Sequence, residues 1–282
     1  MVFKKYLIRF LAILDSFLPI FSKDSIYSFS FETKAIVSLP VNKRVLGMQY
    51  WCDLEGNVFV SRFSSYIGRN ETGFLFHSWP DWKLIKKIDL CSDSILCPRL
   101  IDGTLFALNK GAETNVIFNL KTGKPLRCVP EPWFDVFVFK GNRYIISGSD
   151  VFSLQFKKSG EVYLSEHCKI DLGENVGECS AQEYSGKLYV VARIFKDTHS
   201  ALGCHFKLFE TSDLSNFQSS GDLFPVSMFG RNCFSGVGFP TLRNVDDKLC
   251  LFFAGYWGWH FLLPHTIWSW HQQGRALNCD KV

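Results

Sequence analysis

No two of the ten cysteines form a CxxC pair, so a zinc site of the usual spacing is not expected. The signatures GxGxxG, GK followed by Ser or Thr, and GxSxG are also missing, which removes the usual sequence basis for phosphate cradling and serine-hydrolase chemistry. FSGVGFP does contain two glycines, but no helix pattern follows it. His260, His265 and His271 lack metal-ligand spacing, and no metal or cofactor is expected. Basic residues form no stripe. The 31 Lys and Arg are spread among 27 Asp and Glu for a net charge of +4, which gives nucleic-acid binding no support. Helical periodicity hardly occurs beyond the N-terminus.

Apolar and aromatic side chains are abundant. Hydrophobic residues make up 47% of the 282, including 28 Phe, 9 Tyr and 8 Trp, enough for a large core and for aromatic platforms, and disorder is excluded. A single domain is expected, because repeated β architectures reach this length as one unit. The cysteines are scattered, several inside apolar runs such as KLCLFFAG around Cys250. That favours reduced thiols over a disulfide framework, and a cytoplasmic location over export. The opening stretch MVFKKYLIRFLAILDSFLPIFSKDS turns apolar after Lys4 and Lys5, but Arg9 and Asp15 interrupt it. It reads either as an amphipathic helix packed on the domain or as an export or membrane-surface signal. The division expected is therefore an N-terminal segment over residues 1–30, with membrane contact through it left open, followed by one domain over 31–282.

That domain contains a repeat. Five segments place a turn residue before a run rich in β-branched and aromatic residues: DLEGNVFVSRF at Gly56, LIDGTLFALNK at Gly103, VFKGNRYIISGS at Gly141, EYSGKLYVVARIF at Gly186 and NVDDKLCLFFAG at Asp247. Successive turn residues stand 47, 38, 45 and 61 positions apart, close to the roughly 40 to 50 of a four-stranded blade, with an insertion in the last interval. The pattern predicts an all-β propeller of five or six blades with a short N-terminal helical segment. A β-sandwich would also supply many strands, but not the recurring turns.

The segment ETSDLSNF, Glu210 to Phe217, resembles the SxDLxxW turn of five-bladed arabinanase, xylosidase and invertase-type glycosidases, and a degenerate sialidase Asp-box. The likeness covers roughly residues 46–277. Such a turn is structural: its Asp bonds backbone amides and its aromatic tucks against the blade. The segment GECSAQEYSGKLYVVAR, Gly177 to Arg193, is similar to the sialidase stretch in which Glu-Cys precedes a substrate-binding Arg, and to the Glu-Cys pair that supplies the general acid in invertase-like enzymes. The resemblance implies a carbohydrate-binding, glycosidase-like propeller with Glu178 as general acid. The bland alternative for Glu178 is a rim carboxylate bonded to backbone amides.

Hydrolysis of most glycosides needs a second carboxyl group. Cys97 and Phe239 occupy the positions equivalent to Glu178 in other blades, a departure from active relatives. Asp53, in QYWCDLEG, and Asp135, in PWFDVFVF, are the remaining acids on apolar strands, with satisfied structural aspartates as the competing reading. By the sialidase comparison RNCFSGVGFPTL, Arg231 to Leu242, should carry a nucleophilic Tyr, but Phe234 stands there. Arg193 and Arg231 remain candidates for an anionic sugar or for structural salt bridges. Trp257 and Trp259, alternating about Gly258, could line a sugar groove or plug the ring closure. Three functions therefore stay open: a glycoside hydrolase, an inactive carbohydrate-binding propeller, and a protein-interaction propeller.

Overall fold

The structure, a computed structural model, describes residues 25–39, 47–65, 72–92, 94–156, 162–195, 204–223 and 236–256. All regular elements there are strands, gathered into five four-stranded antiparallel sheets. Two strands lead, β1 (Ser25–Ser30) and β2 (Ile36–Ser38). The first sheet runs outward from β3 (Gly47–Glu55) through β4 (Val58–Ser65) and β5 (Thr72–Ser78) to β6 (Leu84–Asp89). The second comprises β7 (Ile95–Ile101), β8 (Thr104–Lys110), β9 (Asn115–Asn119) and β10 (Pro125–Val129). The third is β11 (Asp135–Phe139), β12 (Asn142–Ser147), β13 (Asp150–Phe156) and β14 (Val162–Lys169). The fourth is β15 (Val176–Tyr184), β16 (Lys187–Ile194), β17 (His205–Thr211) and β18 (Gln218–Asp222).

The fifth sheet is composite. β19 (Gly236–Val245) and β20 (Lys248–Tyr256) are completed by β1 and β2, in the order β19-β20-β1-β2. Tyr27 pairs with Phe253 and Ser28 with Phe252, so Ser25–Ser30, which the sequence suggested as part of an N-terminal segment, form a strand of the last blade. The innermost strands β3, β7, β11, β15 and β19 lie side by side in that order, and β19 returns against β3. The ring is a five-bladed propeller. Of the helical or signal-like segment expected over residues 1–30, residues 1–24 lie outside the described residues.

The repeated turns are the hairpins between the first and second strands of each blade. In four of them both central residues have positive φ: Asp102 and Gly103 at 49° and 71°, Lys140 and Gly141 at 49° and 77°, Ser185 and Gly186 at 51° and 78°, Asp246 and Asp247 at 50° and 58°. Two-residue turns of this kind match the right-handed twist of the strands they join. Inner and second strands are covered on both faces by neighbouring blades, so their apolar runs are nearly continuous: Val190, Val191 and Ala192 of β16 are all fully buried. Outermost strands face water on one side, and β6 exposes Leu84 and Ile85.

Aromatic side chains fill the seams between blades. Between the first and last, Phe59 makes edge contacts with Trp82 at 5.0 Å and Phe252 at 5.8 Å. The ETSDLSNF turn joins β17 to β18. There Asp213 Oδ1 accepts the backbone N–H groups of Ser215 (2.8 Å) and Asn216 (2.9 Å), while Phe217 packs against the core. Those backbone bonds hold the Asp213 carboxyl well below its ordinary range. The eight described cysteines are free thiols, and Cys52, Cys97, Cys179 and Cys204 are buried.

Candidate functional site

With the blades repeated about one axis, the five inner strands all start at the same end of the ring. Near that end most of them bulge. The pairing register shifts between Tyr50 and Cys52, between Leu96 and Arg99, between Val176 and Cys179, and between Gly238 and Thr241. At three of these bulges a residue with a side chain takes positive φ: Trp51 at 45°, Cys97 at 51° and Phe239 at 55°. A bulge re-aims the side chains that follow it. Two residues further on come Asp53, Arg99 and Thr241, each with no exposed surface. Asp135 and Ser180, equally buried, stand two residues after Trp133 and Glu178. Two layers result: an outer one of Trp51, Cys97, Trp133, Glu178 and Phe239, and beneath it a ring of five polar side chains, one per blade.

Each ring side chain reaches the neighbouring blade. Asp53 Oδ2 accepts the backbone N–H of Leu100 at 2.7 Å, Asp135 Oδ2 that of Ala181 at 3.0 Å, and Ser180 Oγ that of Leu242 at 2.7 Å. In all three cases the donor follows the partner blade's own ring residue. Thr241 donates to the Cys52 carbonyl at 2.8 Å, and Ser180 donates to Asp135. Arg99 donates through Nη1 to the carbonyls of Cys52 and Pro98 at 2.9 and 3.0 Å, and its Nε lies 2.7 Å from Asp135 Oδ1.

Arg243, two residues beyond Thr241, joins the ring from β19. Its Nε donates to Asp53 Oδ1 at 2.7 Å, and its Nη1 and Nη2 donate to the two oxygens of Asp135 at 3.2 and 2.8 Å. Burial alone would raise the Asp135 carboxyl, but Arg243, Arg99 and the hydrogen bonds outweigh it and hold the group below its ordinary value. Burial would likewise lower Arg243, and the two aspartates reverse that. The adjacent thiols have no such compensation: burial pushes Cys52 and Cys97 up to about 12, so both are uncharged at neutral pH.

In the outer layer Glu178 is half-buried, and both its oxygens accept from Arg193 Nη1 at 3.0 Å. The Arg193 guanidinium lies over Phe195 at 4.6 Å and near Phe239 at 5.9 Å. Phe239 in turn meets the Trp51 ring at 4.6 Å. Gly177 lets this cluster close up, since a Cβ there would come within 2.4 Å of the Phe195 ring.

The sequence candidates thus fall into two groups. Asp53 and Asp135 are linked through Arg243, and Glu178 is linked to Arg193, but no hydrogen bond among the described residues joins Glu178 to either aspartate. Arg231, Phe234, Trp257, Trp259 and the three C-terminal histidines lie outside the described residues. The ring partners Arg99, Ser180, Thr241 and Arg243 were not singled out from sequence. Their signal is a polar residue at a fixed step after each bulge, visible only once the inner strands are superposed.

No family model and no curated protein matches the chain. Among solved structures, a variant of a GH43 protein from Bacillus licheniformis matches with a TM-score of 0.50 at 12% identity, covering 81% of this chain and 50% of that one. The fold is a five-bladed β-propeller, shared with that GH43 protein. A xylan β-1,4-xylosidase from Bacillus halodurans matches at TM-score 0.47 and 10% identity over 76% of this chain and 53% of its own. An α-L-arabinofuranosidase from Clostridium thermocellum gives 0.46 and 10% over 74% and 82%. The chain thus spans about half the length of the Bacillus proteins.

Proposed function

We propose that this chain is a saccharide-binding propeller that recognises its ligand at the outer layer and does not cleave it. The observation that carries this reading is the supply of carboxylates. Among the described residues of the outer layer the one carboxylate is Glu178, which already accepts two bonds from Arg193. Asp53 and Asp135 lie in the layer below, fully buried and held by arginines and backbone amides. Glycoside hydrolysis by paired carboxyl groups needs one on each side of the scissile bond. A hydrolytic reading would require Asp53 or Asp135 to leave the ring, stranding a buried guanidinium.

Recognition suits the same residues. The half-buried rings of Phe195 and Phe239 offer faces for the CH surface of a sugar. Beside them Glu178 accepts and Arg193 donates, the complementary pair that vicinal hydroxyl groups require. The GH43-type fold supports a carbohydrate as the ligand class.

The test is a glycan array and a panel of chromogenic glycosides, run on the full chain and on Glu178→Gln and Phe239→Ala. The expected result is saccharide binding without chromophore release, with affinity reduced at least about tenfold by Phe239→Ala, a change of roughly 1.4 kcal/mol. Turnover by the wild type that disappears in Glu178→Gln would restore the hydrolytic assignment. A wild-type protein that binds no saccharide would end the carbohydrate reading.

A further inference from the structure

Opposite charges are matched around the channel. Among the described residues the polar ring sets Asp53 and Asp135 against Arg99 and Arg243. The outer layer sets Glu178 against Arg193, with both carboxylate oxygens 3.0 Å from Nη1. This upper pair is largely withdrawn from water: the side chains of Arg193 and Glu178 are 5% and 13% exposed, and the guanidinium lies over the Phe195 ring and near that of Phe239. Charges in such surroundings are weakly screened. The adjoining thiol of Cys179 reports the local sign. Burial pushes it well above its ordinary value, and three carboxylates, Glu178, Asp135 and the exposed Glu131, push it further the same way.

That balance selects among ligands. A carboxylate brought to Arg193 would stand beside Glu178 on the same guanidinium, and like charges set side by side across an interface are strongly unfavourable. Hydroxyl groups meet no such penalty, since they can donate to Glu178 and accept from Arg193. We infer that Glu178 sets the charge specificity of the outer layer: paired with Arg193 beside Phe195 and Phe239, it admits uncharged saccharides and turns away those that carry a carboxylate, such as uronic and sialic acids. Glu178 then acts as a specificity-determining residue and not as the general acid that its Glu-Cys setting suggests. The inference rests on the saccharide reading and adds to it the charge of the ligand.

The test sets neutral glycans on an array beside their carboxylated counterparts, in which a primary alcohol is oxidised to the acid, and compares the full chain with Glu178→Gln. The wild type is expected to favour the neutral member of each pair it binds by at least about tenfold. Glu178→Gln keeps the size of the side chain and removes its charge, so it should shrink that ratio to about one or reverse it. A purely structural role would weaken both members together; an unchanged ratio in the folded variant therefore overturns the inference. Equal wild-type affinities, or a preference for the carboxylated member, overturn it too while leaving the saccharide reading in place. Binding of neither member ends that reading and the inference with it. Should Glu178→Gln fail to fold, the wild type decides alone: its affinity for carboxylated glycans should rise with added sodium chloride as repulsion is screened, and a fall with salt, the mark of attraction, overturns the inference.

Discussion

Arg243 reaches past the fourth blade to bond both oxygens of Asp135 in the third, at 3.2 and 2.8 Å. Its Nε meanwhile holds Asp53 in the first, so one guanidinium ties together three blades whose sequences are far apart. Taking away one partner of such a buried pair leaves an uncompensated charge. Asp135→Asn is expected to lower stability by about 3–5 kcal/mol, measured by urea denaturation, and a loss below about 1 kcal/mol would show that the ring is not a principal tie.

The same carboxylate makes stability depend on pH. Its folded-state pKa is lowered from the ordinary carboxylate value because Arg243, Arg99 and the hydrogen bonds override the effect of burial. A depressed carboxyl contributes stability that is complete above its unfolded value and is lost as pH falls through its folded value. Wild-type stability should therefore decline below about pH 4. Asp135→Asn, with nothing to titrate there, should show a shallower decline. Identical slopes in acid would remove Asp135 from the account.

Ser180 serves two blades at once, donating to Asp135 and accepting from Leu242 N–H at 2.7 Å. Ser180→Ala leaves that buried N–H without a partner, a loss of about 1–3 kcal/mol. Ser180→Thr, which keeps the hydroxyl, should recover much of it if the extra methyl is accommodated. Equal losses in the two variants would trace the effect to packing.

Gly177 controls the outer layer by its lack of a side chain. A Cβ would come within 2.4 Å of the Phe195 ring, which covers Arg193 at 4.6 Å. Gly177→Ala should destabilise by about 1–3 kcal/mol through overpacking and weaken saccharide binding together with it. A crystal structure of the variant with Phe195 unmoved would contradict the argument.

The cysteines should separate by reactivity. Burial pushes Cys52 and Cys97 up to about 12 and raises Cys179 as well, whereas Cys91 and Cys128 are exposed. Iodoacetamide at pH 8 followed by peptide mass spectrometry should find Cys91 and Cys128 modified first and the other three only on unfolding. Early labelling of Cys97 would mean that the channel opens readily.

Much of the fold was legible because it depends on local chemistry. Gly56, Gly103, Gly141, Gly186 and Asp247 mark the first turn of each blade because tight hairpins restrict which residues can take positive φ. The equivalence of Glu178, Cys97 and Phe239, read from spacing, recurs as one structural layer. Long-range partnership was not legible. For Asp53 and Asp135 the choice between acids available for chemistry and satisfied structural aspartates stayed open, because their arginine partners, Arg99 and Arg243, lie on other strands and no local pattern announces them. The closing strand was hidden for a similar reason: SIYSFS carries no turn signal and adjoins a segment that reads as a leader. The aromatic residues near the C-terminus were read as a platform or a plug, and lie outside the described residues.

Because β1 and β2 complete the sheet begun by β19 and β20, a chain emerging from the ribosome cannot close this ring until β20 has been made. The earliest strands must wait, unzipped, for the latest. Deleting residues 25–38 would strip the outer half of the final blade and bare the edge of β20, a strand with Leu251, Phe252 and Phe253 side by side, inviting pairing with other chains. β1 and β2 thus guard β20 against self-association.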